Sequence, residues 1–193
     1  MIATAGAVLL SYLLGSVPTG LWLGLWLRKV DIREHGSKNI GATNTLRTLG
    51  KTLGAIALLG DMAKGTIPVL LFARLSDWPY APIACGLAAI CGHTFSVFLK
   101  FRGGKGVATS AGVFFGLAPI PFAIALAVFI AVFAATRMVS AGSILGAVTM
   151  AVSVFLFPID SIVRGMAVAV AALIVLRHRD NIRRILQGKE NKL

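Results

Sequence analysis

Apolar runs recur along this chain from one end to the other. Residues 3–27, 79–99, 107–136 and 142–157 carry no Asp, Glu, Lys or Arg, and 53–74 and 162–176 are nearly as apolar. A membrane-crossing helix needs about 20 consecutive apolar residues. No soluble fold of 193 residues has interior enough for so many such stretches, and only 13% of the chain is charged, about half the usual share of ~25%. The expected fold is therefore all-α and integral to a membrane, one domain over residues 1–193 with no soluble appendage. The start Met1-Ile2-Ala3-Thr4 lacks the basic opening of a cleaved signal peptide, so 3–27 is read as a first span.

The stretch 107–136 decides the topology. It is too long for one span and too short for two full ones, with Pro119 and Pro121 in its middle. Positive charge resolves the ambiguity, because Lys and Arg collect in the loops that stay inside. Arg28, Lys29, Arg33, Lys38, Arg47 and Lys51 put loop 28–52 inside, and Lys100, Arg102 and Lys105 do the same for 100–106. A single span over 107–136 would leave Arg177, Arg179, Arg183, Arg184, Lys189 and Lys192 outside. Two short segments, broken at Pro119/Pro121, bring that tail inside. The expectation is seven transmembrane segments, two of them short, with the N-terminus outside and the C-terminus cytoplasmic.

Nineteen Lys and Arg against seven Asp and Glu give a net charge of +12. Beyond setting orientation, such an excess suits lipid headgroups and phosphorylated small molecules; the hydropathy argues against nucleic acid. Cys85 and Cys91 have neither the spacing nor the neighbouring His of a metal site and are read as packing residues; no metal or other cofactor is expected. Asp61 and Lys64, three apart, read as an ion pair. His93 reads as a structural hydrogen-bonder.

The polar chemistry sits in the inside segments. Gly36-Ser37-Lys38-Asn39-Ile40-Gly41-Ala42-Thr43-Asn44, followed by Arg47, combines glycines that admit an anion with Ser and Asn donors and a guanidinium able to grip phosphate twice. Lys100-Phe101-Arg102-Gly103-Gly104-Lys105-Gly106-Val107-Ala108-Thr109 opens an expected helix, whose first-turn N–H groups and positive dipole end favour a phosphate. The Walker A spacing is absent. Ser140 and Ser143 follow Arg137, and His178 and Asn181, three apart, share a helix face. There is no G-x-S-x-G elbow and no carboxylate pair suited to acid–base work. A transporter of small phosphorylated anions is the alternative. It would explain the basic loops, but neither an internal repeat nor charged midplane residues support it.

Taken in order, these segments resemble the bacterial acyl-phosphate:glycerol-3-phosphate acyltransferases. The resemblance rests on Gly36–Asn44 with Arg47, Gly92-His93 with Gly103–Thr109, Val139-Ser140-Ala141-Gly142-Ser143, and Arg177-His178-Arg179-Asp180-Asn181-Ile182. It implies transfer of a fatty acyl group from acyl phosphate to the 1-hydroxyl of glycerol 3-phosphate, the first step of phospholipid synthesis. It also implies a site on the cytoplasmic side of a bacterial inner membrane and functional coupling to a soluble acyl-phosphate synthase. By residue, it implies Lys105, Ser143, His178 and Asn181 as catalytic groups. Ser37, Asn39, Asn44, Arg47, Gly103, Gly104, Gly106, Val107, Ala108 and Thr109 would bind substrate, with acyl phosphate on the Gly103–Thr109 loop. The H-x-x-x-x-D pattern of the other glycerophosphate acyltransferase class is missing: five on from His35, His93 and His178 stand Ile40, Phe98 and Arg183.

Overall fold

A computed structural model describes residues 2–193, and among them there are helices and turns but no strand. The helices are α1 (Ile2–Ser16), α2 (Thr19–Leu23), α3 (Ala42–Leu49), α4 (Lys51–Leu70), α5 (Ala81–Thr94), α6 (Val107–Leu117), α7 (Pro119–Thr136), α8 (Val139–Ser153), α9 (Ser161–Arg177) and α10 (Arg179–Leu186). They form two compact units, one ending at Gly116 and one starting at Leu117.

In the first unit the apolar run 3–27 is not one straight helix. Pro18 has no N–H to continue the ladder, so α1 stops at Ser16 and the chain resumes in α2 and a π-helical turn, Gly24–Arg28, bent by 48°. At the break the Val17 carbonyl lies inside an apolar unit and accepts only from the Thr19 N–H, at 3.1 Å, along its own backbone. Lys64 of α4 answers it: Nζ donates to Val17 O at 2.8 Å and pairs with Asp61 at 2.9 Å, with both side chains at most 4% exposed. The expected ion pair is thus also the seal on a broken helix. Close approach does the rest of the packing. A Cβ on Gly15 would strike the Ala89 carbonyl and one on Gly92 the Tyr12 carbonyl, so α1 and α5 touch backbone to backbone. Gly65 against Thr109 and Gly112 against Met62 do the same for α4 and α6.

In the second unit α7 packs on α8 and α8 on α9. The break in 107–136 falls at Ala118, with Pro119 at the first helical position of α7, where its missing N–H costs nothing. The halves are unequal. Helix α7 has 18 residues and is long and apolar enough to cross a membrane, whereas α6 has 11. The second short apolar helix is α8, which gives way to turns over 154–158. That corrects the expectation of two short segments from 107–136. Of the cysteines, Cys85 is buried as expected but Cys91 is exposed on α5.

Three helices pass the length and composition test for a span alone, and five spans result if each bent pair counts as one. Lys64→Met should lower unfolding stability by about 3–5 kcal/mol, because Asp61 is left buried without its cation. Adding Asp61→Asn to that variant should recover part of the loss; thermal unfolding in detergent measures both.

Candidate active site

The first loop is built by asparagines. Asn44, 1% exposed at the start of α3, accepts from the Ser37 N–H through Oδ1 at 2.8 Å. Its Nδ2 donates to Ile32 O at 2.7 Å and to His35 O at 3.2 Å. Asn39 Oδ1 accepts from the Gly41 N–H at 2.9 Å, setting the turn into α3. Both asparagines therefore spend side-chain oxygens on shaping the loop. Gly36 has a left-handed φ of +56°, and a Cβ there would strike Asn44 Oδ1. The result holds Ser37 exposed and carries Arg47, half-buried, on the last turn of α3.

The second loop docks on the end of α5. The last carbonyls of a helix have no partner within it. Here Thr94 O accepts from Gly103 N–H at 3.1 Å and His93 O from Gly104 N–H at 3.0 Å. Only glycine fits at either position, since a Cβ on Gly103 would meet the His93 carbonyl and one on Gly104 the His93 imidazole. Gly103 and Gly104 thus use their N–H groups to seat the loop, and the donors aimed out of it narrow to the first turn of α6. Ser110 N–H closes that turn on Gly106 O at 2.8 Å. The N–H groups of Val107, Ala108 and Thr109 precede it and have no acceptor within the helix. Gly106, at φ +82°, turns the chain into α6, and Lys105 is half-buried just before it. Thr109 is fully buried, so its hydroxyl is turned into the fold. Both loops share an anchor: Leu99, before the second, packs with Leu49 of α3 on the cluster Leu21, Ile32 and Ile40.

In the second unit, α9 ends at Arg177 and the chain bends by 59° into α10. His178 occupies the bend, 3% exposed, with Nδ1 2.8 Å from Ile174 O. A carbonyl only accepts, so the neutral ring carries its proton on Nδ1 and its lone pair on Nε2. Ser143, 5% exposed, donates to Val139 O at 2.8 Å.

Asn181 reveals a residue that sequence reasoning passed over. The basic tail turns back at Gly188, φ +67°, and inserts Glu190, 8% exposed, between α8 and α10. Glu190 Oε1 accepts from Asn181 Nδ2 at 2.6 Å and Ser140 Oγ at 2.8 Å; Oε2 accepts from Arg184 Nε at 2.7 Å. Leu193 and Arg137 exchange two further bonds of 2.9 Å. The available signal was modest: Glu190 is the one acid among the basic residues after Asp180. Burial pushes its carboxyl up, but the bonds from Asn181, Ser140 and Arg184 outweigh this and hold it below its ordinary value of 4.5. A depressed folded value means that docking contributes its full stability above pH 4.5 and loses it as the pH falls through the folded value. Protection from hydrogen exchange over residues 181–193, relative to the intrinsic rate at each pH, should fall in acid in the wild type and should already be low at neutral pH in Glu190→Ala, which should be less stable by about 1–3 kcal/mol.

Against known proteins, the chain matches the family model described as glycerol-3-phosphate acyltransferase over residues 5–188. It is 48% identical over 182 residues to the glycerol-3-phosphate acyltransferase of Trichlorobacter lovleyi, covering 94% of this chain and 93% of that one. It is 44% identical to the enzyme of the same name from Streptococcus sanguinis, covering 99% and 92%. Among solved structures it resembles PlsY (YgiH), an integral membrane glycerol 3-phosphate acyltransferase, in its glycerol 3-phosphate form. The TM-score is 0.91 and the identity 38%, with 98% of this chain and 95% of that one covered. A lysophosphatidic acid form of the same protein matches with a TM-score of 0.89. The polar segments that bracket both units lie inside the matched region, and the chain belongs to the glycerol-3-phosphate acyltransferase family.

Proposed function

We propose that this enzyme transfers a fatty acyl group from acyl phosphate to the 1-hydroxyl of glycerol 3-phosphate, at the cytoplasmic side of a bacterial inner membrane. The products are lysophosphatidic acid and inorganic phosphate. The observation that carries the reading is the seating of Gly103 and Gly104 on the end of α5. It leaves the positive end of α6 as a donor site for a phosphate, next in sequence to Lys105, in a chain whose family acts on glycerol 3-phosphate. Acyl phosphate would lie on the Val107–Thr109 N–H groups, with its chain toward lipid. Glycerol 3-phosphate would meet Ser37, Arg47 and Lys105.

The hydroxyl oxygen attacks the acyl carbon, the carbon–oxygen bond to phosphate breaks, and the electron pair leaves with phosphate. Ser143 and Asn181 orient the hydroxyl and the carbonyl. The hydroxyl proton goes to His178 Nε2, the basic nitrogen of its ring, or to a phosphate oxygen of the donor. A mixed anhydride has a good leaving group, so position and charge stabilisation supply most of what is needed. Residues 1–193 serve as one catalytic domain in this reading, supported by a family match that runs across both units. Three spans, two bent pairs and two shorter apolar helices, together with the inside basic loops, support seven segments with the N-terminus outside and the C-terminus cytoplasmic. A soluble synthase that makes acyl phosphate would be its functional partner.

The decisive assay gives purified protein glycerol 3-phosphate with acyl phosphate or acyl-CoA. Lysophosphatidic acid should form from acyl phosphate; no product from either donor would overturn the reading. Lys105→Ala should cut turnover by at least ~10²-fold while the protein stays folded. In His178→Asn, loss of the acidic limb of the pH–rate profile would identify His178 as the base. An unchanged profile would assign the proton to the donor phosphate.

A further inference from the structure

The surface leading into the glycine loop of the first unit has a composition that membrane anchoring alone does not require. Trp22 and Trp26 stack with ring centroids 4.9 Å apart, and Trp22 meets Phe98 at 5.6 Å, so one aromatic ladder joins the turn after α2 to the turn after α5. Trp26 is 64% exposed, Phe98 50% and Phe101 62%. Four exposed cations flank the ladder: Arg28 and Lys29 follow Trp26, and Lys100 and Arg102 follow Phe98. At the other end of α5 stands a comparable aromatic pair, Trp78 and Tyr80, 5.8 Å apart. There Asp77 and Arg74 flank it, one charge of each sign. Aromatic residues anchor both faces and positive charge marks the inside one; at this face the two coincide, with a cation pair following each end of the ladder.

The backbone adds a second observation. Lys100 and Phe101 are consecutive non-glycine residues in the left-handed region, at φ +50° and +62°. That conformation is costly for a side chain and free for glycine. Phe101 is not repaid by burial, since it projects outward, and its N–H is tied to Ser96 O at 2.8 Å. Strain kept at an exposed Lys-Phe pair, next to Arg102-Gly103-Gly104, suggests that the side chains themselves are needed there.

We infer that this aromatic and basic ridge docks a single-chain lipid with a phosphate-monoester head, the chain lying along Trp26, Trp22 and Phe98 and the head against the four cations. The inference rests on the acyl-transfer reading, because acyl phosphate and lysophosphatidic acid both belong to that class. Continuity with the loop supports it: only Gly103 and Gly104 separate Arg102 from Lys105. The ridge would collect the donor from the membrane and pass it to α6, and release the product by the same route.

Binding is tested apart from turnover. In the Trp78→Phe protein the remaining tryptophans are Trp22 and Trp26, and their quenching by a brominated alkyl phosphate reports the ridge directly. Saturable quenching is expected, with a phosphocholine of the same chain at least tenfold weaker. Lys100→Gln with Arg102→Gln should weaken the alkyl phosphate about tenfold and raise KM for acyl phosphate while kcat holds. Lys100→Gly should weaken binding too, yet raise the melting temperature by relieving the backbone. Equal quenching by phosphocholine would overturn the proposal, as would quenching confined to a brominated diacyl anionic lipid. Protein that binds alkyl phosphate but forms no product would overturn the acyl-transfer reading and leave the ridge a lipid-phosphate site.

Discussion

Every helix that ends inside an apolar unit leaves carbonyls that must find a donor, and this requirement organises the polar parts of the chain. Lys64 answers Val17 at the Pro18 break. Gly103 and Gly104 answer Thr94 and His93 at the end of α5. His178 answers Ile174 at the end of α9. The last two solutions recruit residues of the candidate site, so in the proposed mechanism the bond that terminates a helix would also aim the group that acts. His178 shows the economy of this: its contact with Ile174 O both closes the helix and selects the tautomer that leaves Nε2 basic.

A second constraint follows from how few acids the chain has. With seven Asp and Glu against nineteen Lys and Arg, a buried carboxylate is a scarce acceptor, and the two buried among the described residues, Asp61 and Glu190, each face a cation. Glu190 gathers Ser140, Asn181 and Arg184 and so ties the tail to α8 and α10. Because the tail supplies this acceptor, residues after α10 are part of the scaffold that orients Asn181. In the proposed role, a side chain orienting substrate would gain from a short charge-assisted bond of 2.6 Å.

Much of this was legible without coordinates, where a large physical term leaves a one-dimensional trace. The apolar runs mark the helices, and charge parity alone demands a break in 107–136, which falls at Ala118 beside Pro119. What escaped depends on partners distant in sequence. The bend in the run 3–27 was not legible, because Pro18 is a single residue in an apolar pattern and the donor that Lys64 brings to Val17 O comes from 47 residues away. The Ser and Asn donors of the first loop are visible as composition. Whether such a donor faces substrate or its own loop is decided by geometry, which turns Asn44 inward. Glu190 stayed hidden because a lone acid in a basic tail looks solvated until the turn at Gly188 buries it.

The arrangement also explains why the two phosphates of the proposed reaction call for different ligands. Acyl phosphate is the reactive partner, and its leaving oxygen gains charge as the bond breaks. In the proposed site, backbone N–H groups at the start of α6 would stabilise that charge without titrating and without the rotamer freedom of a lysine, because the seated glycines fix where the helix begins. Glycerol 3-phosphate keeps its phosphate throughout, so its ligands need only hold it, and side chains such as Arg47 and Lys105 suffice. A rigid backbone cradle for the group that changes charge, and charged side chains for the group that does not, is the division that differential stabilisation of the transition state favours.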